Sequence, residues 1–148
     1  RQLYRNLATA AESGWDFSGR WIKAGAGNVA GLDHTCTSDY LPVDLNSVLH
    51  ANEQLLGELW LKLGNETQSL HWQGLAEQRR LAIRELLWNP EERRWIDYDL
   101  SQASANRERP FYISDLSPLW YDAHGLNTSV MLSILEHHRP FLETWPGG

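Results

Sequence analysis

The sequence contains very few sulphur-bearing residues. Among its 148 residues there is one cysteine and one methionine. A single cysteine cannot close an internal disulfide, which excludes a disulfide-stapled scaffold and leaves the redox compartment open. Cys36 has no histidine or carboxylate at the spacing of a metal site or a catalytic triad, so we interpret it as a small buried hydrophobic residue.

The sequence also lacks a long apolar run and a cluster of basic residues. No stretch has the length and apolarity needed to span a bilayer, so the only membrane association we consider is an anchor outside this chain. The 13 Lys and Arg residues are scattered and are outnumbered by 19 Asp and Glu, which gives a net charge of −6. This pattern excludes an electrostatic footprint for nucleic acid and suits a neutral small-molecule partner.

The histidines do not have the spacing of a metal site. His50 and His71 form no H-x-x-x-H or E-x-x-H pair. The adjacent residues His137 and His138 point in different directions on a helix, where we expect them to be exposed. We therefore predict no metal.

Apolar residues at helical spacing are abundant. Hydrophobic residues make up 42% of the chain and include eight tryptophans, which is enough for the core of one domain. Their recurrence every three or four residues predicts an all-α fold, with a helical hairpin near the middle of the chain. Asp44 is interpreted as the N-cap of the first hairpin helix, with direct contact to a sugar as the alternative. The predicted helices are about Gln2–Ser13, Asp44–Leu63, Glu66–Leu87, Leu116–Asp122 and Thr128–His138, the last bent at Pro140 or continuing past it.

Two segments lack helical periodicity. Lys23–Tyr40 shows no sustained pattern and is predicted to be a long loop, either roofing a site or serving as a plain connection. Trp95–Leu100 alternates apolar and polar residues, which predicts a short extended segment whose carboxylates are solvated or hydrogen-bonded. After it, Trp120 and Tyr121 are predicted to anchor the short fourth helix through apolar contacts.

In the run Glu12–Trp21, the carboxyl of Asp16 stands in sequence among the aromatic residues Trp15, Phe17 and Trp21 and two glycines. Partial desolvation would raise the pKa of Asp16 and let it protonate a leaving oxygen near neutral pH. Aromatic rings also stack on sugar faces, which makes carbohydrate a natural substrate class. The alternative is a loop packed on a helical core, in which Asp16 caps a turn or pairs with Arg20. The chemistry of the residues alone leaves both open.

Five motifs, taken in order and spacing, resemble those of the trehalases, the glycoside hydrolases that split α,α-trehalose into two glucoses. Residues 10–21 are similar to the family's ESGWDFSSRW segment, with Gly19 in place of the usual Ser. The resemblance covers nearly the whole chain. The other motifs are Leu41–Asn46 against VPVDLN, Leu87–Asn89 against LW(N/D), Trp95–Leu100 against W(F/Y)DYDL and Leu116–Trp120 against L(T/S)PLW.

The resemblance implies an (α/α)6 toroidal barrel and an inverting mechanism without metal or organic cofactor. The family's general acid maps to Asp16, and a glycine whose backbone contacts the sugar maps to Gly14. We add Trp15 and Arg20 as candidate substrate-binding residues. The family's general base, a Glu, is expected outside this chain.

We expect residues 1–148 to form part of one trehalase catalytic domain, truncated at both ends and inactive alone, because Arg1 opens directly into a helical pattern and the family's downstream QWDxPxxWxP signature is missing. Two sequons, at Asn65 and Asn127, fit N-glycosylation, and the family implies a secreted or cell-surface protein. Two alternatives stay open. One is another (α/α)6 inverting glucosidase, and the other is a non-catalytic, carbohydrate-binding helical module.

Overall fold

The computed structural model describes residues 1–16, 18–22, 31–105 and 109–144. This part of the chain is mostly helical, which confirms the predicted all-α class and fits one part of an (α/α)6 barrel. None of its helices has the length and apolarity that a bilayer crossing requires. The α-helices are α1 (Gln2–Glu12), α2 (Val43–Lys62), α3 (Glu66–Ala82), α4 (Ser117–Trp120) and α5 (Thr128–Thr144).

The predicted hairpin is formed by α2 and α3. Asn65 is the N-cap of α3, and its side chain accepts a hydrogen bond from the Gln68 backbone N–H at 3.1 Å. The α-helical part of this second helix ends at Ala82. A π-helical turn, Ile83–Leu87, continues it to the predicted end at Leu87.

Gly57 allows the two helices of the hairpin to approach closely. A β-carbon built on Gly57 would lie 2.9 Å from Gln73 Cγ and 3.3 Å from the Ser69 carbonyl oxygen. We predict that Gly57→Val lowers the free energy of unfolding by about 1–3 kcal/mol, because the added methyl groups overpack this crossing. Urea unfolding followed by tryptophan fluorescence measures the change.

Gly74 provides the matched control for this prediction. It lies in the middle of α3, and a β-carbon built there has no atom within 4 Å. Gly74→Ala should leave stability unchanged or raise it by up to about 1 kcal/mol through helix propensity. Equal stability of Gly57→Val and the parent protein would contradict the close-packing argument.

Short strands precede α2 and follow the π-helical end of α3. They are β1 (Tyr40–Leu41), β2 (Trp88–Asn89), β3 (Arg94–Trp95), β4 (Tyr98–Asp99) and β5 (Ser104–Ala105). One antiparallel sheet has the order β1-β4-β5, and β2 pairs with β3. The predicted extended segment is therefore present, interrupted between β3 and β4. Because Tyr40 pairs with Asp99, the chain entering α2 lies beside this segment.

Two apolar clusters form the core of the described residues. The first packs α2 and the π-helical turn against β3 and α5, through Val43, Ile83, Trp95 and Ile134. The second packs α1 against the following loop, through Ala10, Trp21, Cys36 and Tyr40. Cys36 is buried, as predicted. Of the predicted loop Lys23–Tyr40, residues 23–30 lie outside the described residues, and the rest contains the 3-10 turns Leu32–His34 and Thr37–Asp39.

Asp44 is not the N-cap of α2, contrary to the sequence-based interpretation. Pro42 occupies that position, and Asp44 lies in the first turn. Asp97, from the segment between β3 and β4, accepts a hydrogen bond from the Val43 backbone N–H at 2.9 Å. A carboxylate from across the chain thus satisfies the helix terminus, which releases Asp44 for other contacts.

Two further expectations about side chains are wrong. Trp120 is 85% exposed and so is not an apolar anchor, and the buried residue of the short α4 is Pro118. His138 is buried with its ring stacked on Phe111, the two centroids 4.7 Å apart, and α5 continues through Pro140. Its Nε2 bonds to the Arg93 carbonyl at 3.0 Å. His137 is exposed, as expected.

Candidate active site

The loop that follows α1 begins with a sharp change of backbone direction at Gly14. Its φ is +73°, in the left-handed region that glycine adopts most readily. The preceding residue, Ser13, fixes both sides of this turn. Its hydroxyl donates to the Ala10 carbonyl at 2.6 Å and accepts from the Trp15 backbone N–H at 3.1 Å. The helix therefore ends in a defined geometry that directs the next two residues.

Trp15 is bonded through each of its polar atoms. Besides its backbone N–H, its carbonyl oxygen accepts from the Trp21 indole at 2.8 Å and from the Ser18 backbone at 3.2 Å. Its own indole N–H donates to Asp44 Oδ2 at 2.9 Å. The ring meets Tyr112 edge to face at 6.1 Å. Trp15 therefore has one well-determined position.

Asp16 follows directly and is exposed. The expectation that its carboxyl is partly desolvated among aromatic rings differs from this arrangement, because the ring of Trp15 turns inward toward Asp44. Phe17, the aromatic residue that follows Asp16 in the run, lies outside the described residues. Asp16 is thus a solvent-accessible carboxyl on a firmly held loop.

Arg20 is buried, with 1% of its surface exposed. Its Nη1 and Nη2 each donate to Asp44 at 2.8 Å, and its Nε and Nη2 donate to Asp97 at 2.7 and 2.8 Å. Among the described residues its carboxylate partners are therefore Asp44 and Asp97, which replaces the alternative pairing with Asp16. The guanidinium is enclosed by these two carboxylates. Direct contact between Arg20 and a substrate stays a prediction.

These contacts continue into a longer series of buried charges. Arg109 Nη2 lies 3.6 Å from Asp97 Oδ2 and also binds Asp115, and Arg94 Nη1 binds Asp115 at 2.9 Å. Acidic and basic groups alternate along the series, so each buried charge has an opposite neighbour. We call this series the ionic chain. Its members are Asp44, Arg20, Asp97, Arg109, Asp115 and Arg94.

The titration of the first pair follows from this geometry. Burial disfavours the charge on Arg20, but the hydrogen bonds and charges of Asp97 and Asp44 outweigh it and raise the pKa of Arg20 above its ordinary value. Burial alone would raise the pKa of Asp44, yet the bonds from Arg20 hold the pKa of that carboxyl below its usual range. Both groups are therefore charged at neutral pH.

Two grooves adjoin this assembly, and Asp44 lines both. One, of about 330 Å³, has an aromatic and hydroxyl lining that includes Trp15, Ser114, Ser117 and Trp120. The other, of about 500 Å³, runs along the end of α1 past Glu12 and Trp21. Aromatic faces interspersed with hydroxyl groups suit the alternating C–H and O–H surfaces of a sugar.

The predicted glycosylation acceptors are both accessible. Asn65 and Asn127 are exposed, and each side-chain oxygen caps the helix that follows it. Asn127 also accepts a hydrogen bond from the Ser129 hydroxyl of its own sequon at 2.7 Å. Modification at either site stays a prediction.

Sequence reasoning identified Gly14, Trp15, Asp16 and Arg20, and the structure brings all four onto one loop. It missed the ionic chain. From sequence alone Asp44 is predicted to be a helix cap and Asp97 a solvated or hydrogen-bonded carboxylate, and Asp115, Arg109 and Arg94 carry no prediction. The available signal was a charged residue in or next to four of the five motifs, namely Arg20, Asp44, Asp97 and Asp115.

Comparison with known proteins agrees with the motifs. The trehalase family model matches residues 1–141. The trehalase of Oryctolagus cuniculus is 44% identical over 118 residues, which cover 80% of this chain and 20% of that protein. The trehalase of Bombyx mori is 39% identical over 155 aligned residues, covering 99% of this chain and 26% of that protein. A periplasmic trehalase of Salmonella dublin is 36% identical over 119 residues, covering 76% and 20%. The chain spans about a quarter or less of the length of these relatives, and with matches of this extent it belongs to the trehalase family.

Proposed function

We propose that the protein containing this chain hydrolyses α,α-trehalose to two glucose molecules with inversion at the attacked carbon. The single observation that carries the proposal is the family match over residues 1–141, joined by relatives that are themselves named trehalase. The exposed carboxyl of Asp16, on a loop that hydrogen bonds hold in place, supports it.

In the proposed mechanism Asp16 protonates the glycosidic oxygen as the bond to the anomeric carbon breaks. A Glu outside these 148 residues removes a proton from a water molecule on the opposite face of the sugar. In inverting glycosidases the two carboxyl groups lie about 6.5–9.5 Å apart, which leaves room for that water. In the sugar site Gly14 contacts the sugar through its backbone and Trp15 through its ring. Arg20 is the third substrate-binding residue. No step uses a metal or an organic cofactor.

The domain assignment and location belong to the same proposal. Residues 1–148 form one part of a trehalase catalytic domain. The relatives include animal trehalases and a periplasmic one, and the exposed sequons at Asn65 and Asn127 fit a secreted or cell-surface protein. Any membrane association comes from an anchor outside this chain.

Proton NMR of the products tests the reaction. Inverting hydrolysis of α,α-trehalose by the intact enzyme should release one β-glucose and one α-glucose in equal amounts before mutarotation. Only α-glucose at early times would indicate retention and contradict the mechanism.

A substrate panel separates the alternatives. Preference for maltose or glucosyl-oligosaccharides would favour another (α/α)6 glucosidase. Trehalose binding without any turnover would favour a carbohydrate-binding module.

A further inference from the structure

We infer that Trp15 and Asp44 are positioning residues, which hold the loop so that Asp16 can reach the glycosidic oxygen. This inference rests on the proposed function, because it concerns how the proposed acid is aimed. It assigns a task to the indole N–H of Trp15, separate from any contact between its ring and the sugar.

The first step of the argument concerns the residue next to the acid. The peptide that joins Trp15 to Asp16 fixes the backbone position from which the Asp16 side chain extends. The carbonyl of that peptide is held by the Trp21 indole and the Ser18 N–H, at 2.8 and 3.2 Å. Asp16 itself is exposed, so the placement of its backbone comes from these bonds to the neighbouring Trp15 and not from packing of its own side chain.

The second step concerns the support behind Trp15. Its indole N–H bonds to Asp44 Oδ2, the same oxygen that accepts from Arg20 Nη1 at 2.8 Å. Arg20 in turn is fixed by Asp97, which also binds the first N–H of α2. These bonds join the loop to the N-terminus of α2, a helix that packs along α3.

The third step concerns what such rigidity supplies. A general acid works only when its proton lies within hydrogen-bond reach of the leaving oxygen, and an error of about 1 Å in catalytic geometry can cost on the order of 100-fold in rate. A charge-assisted indole–carboxylate bond is stronger than a neutral one. Loss of this single bond should therefore disturb proton transfer before it disturbs folding.

The test uses the intact enzyme and two substrates. Hydrolysis of trehalose needs a proton on the leaving oxygen. In α-glucosyl fluoride the leaving group is a fluoride ion, which departs without protonation. Trp15→Phe keeps an aromatic ring and removes the indole N–H. It should lower kcat for trehalose by about 10- to 100-fold, leave its KM within about twofold, and leave turnover of α-glucosyl fluoride nearly unchanged. Asp44→Asn, which weakens the same bond, should show the same selectivity if Trp15→Phe does not fold.

Two control variants accompany the measurement. Glu53→Gln weakens the ion pair between Glu53 and Arg79, in which Arg79 Nη2 lies 2.8 Å from Glu53 Oε1, and should lower Tm without affecting turnover of either substrate. Asp16→Asn sets the scale for complete loss of the acid.

The outcomes separate the two claims. Equal losses on both substrates, a rise in KM with kcat unchanged, or no effect at all would overturn the positioning role. Full trehalose turnover by Asp16→Asn would overturn the proposed function itself. Loss of turnover in Asp16→Asn together with an unaffected Trp15→Phe would overturn only this inference.

Discussion

Arg20→Met is expected to lower the free energy of unfolding by about 3–5 kcal/mol, because it leaves the buried carboxylate of Asp97 and the partly buried carboxylate of Asp44 without their shared cation. Arg20 is 1% exposed and makes four contacts to Asp44 and Asp97 at 2.7–2.8 Å. Met fills similar volume with an apolar chain, so the loss comes from uncompensated charge and not from a cavity. Urea unfolding of the intact protein measures the change.

Two control variants isolate this effect. Arg139→Met removes an ion pair whose partners, Arg139 and Glu136, are both more than half exposed, and it should cost about 0–1 kcal/mol. Arg20→Lys keeps the charge and loses the planar two-sided geometry, so it should fall between the two Met variants. A loss for Arg20→Met no larger than that for Arg139→Met would show that the ionic chain does not stabilise the fold.

Asp16→Asn is expected to lower kcat for trehalose by about 10²- to 10⁴-fold, the usual contribution of a general acid. The substitution keeps the shape of the side chain and removes the transferable proton. Because Asp16 is exposed, Tm should stay within the range of other surface substitutions. Steady-state kinetics and a binding assay with trehalose on the same preparation measure both effects.

Asp33→Asn is the matched control for this second prediction, because Asp33 is an exposed aspartate on another loop. It should leave kcat and trehalose affinity unchanged. Near-normal turnover by Asp16→Asn would remove Asp16 from the mechanism, and loss of trehalose binding along with turnover would assign it to binding instead of proton transfer.

The helices could be predicted because their signals are local. The apolar spacing that predicts α2 lies within the 20 residues of the helix itself, and the predicted bounds differ from the observed ones by one residue. The continuation of α5 through Pro140 could not be decided in the same way. Beyond this proline, Phe141 packs against Phe111 with ring centroids 4.6 Å apart, a contact between residues distant in sequence.

The ionic chain could not be predicted because its members are far apart in sequence and follow no period. Arg20 and Asp97 are separated by 77 positions. The motifs include Arg20, Asp44 and Asp97, yet a motif does not say which side chains are in contact. Local reasoning therefore gave Asp44 the commonest role of an aspartate at a helix start, whereas Asp97 fills that role from across the fold.

Asp16 is exposed although aromatic residues lie on both sides of it in the sequence. Its neighbours Trp15 and Trp21 are aromatic, but both rings turn toward the protein interior, where the indole N–H groups find oxygen acceptors. Proximity in sequence to an aromatic residue does not place a carboxyl against its face. What the aromatic residues provide is a fixed backbone around the acid.

The most direct test of the central claim compares Asp16→Asn with the parent enzyme on trehalose and on α-glucosyl fluoride. If Asp16 donates the proton to the departing sugar, turnover of trehalose should fall at least about 100-fold further than turnover of the fluoride. Equal loss on the two substrates would contradict this account, since the side chain would then matter for something other than protonating the leaving group.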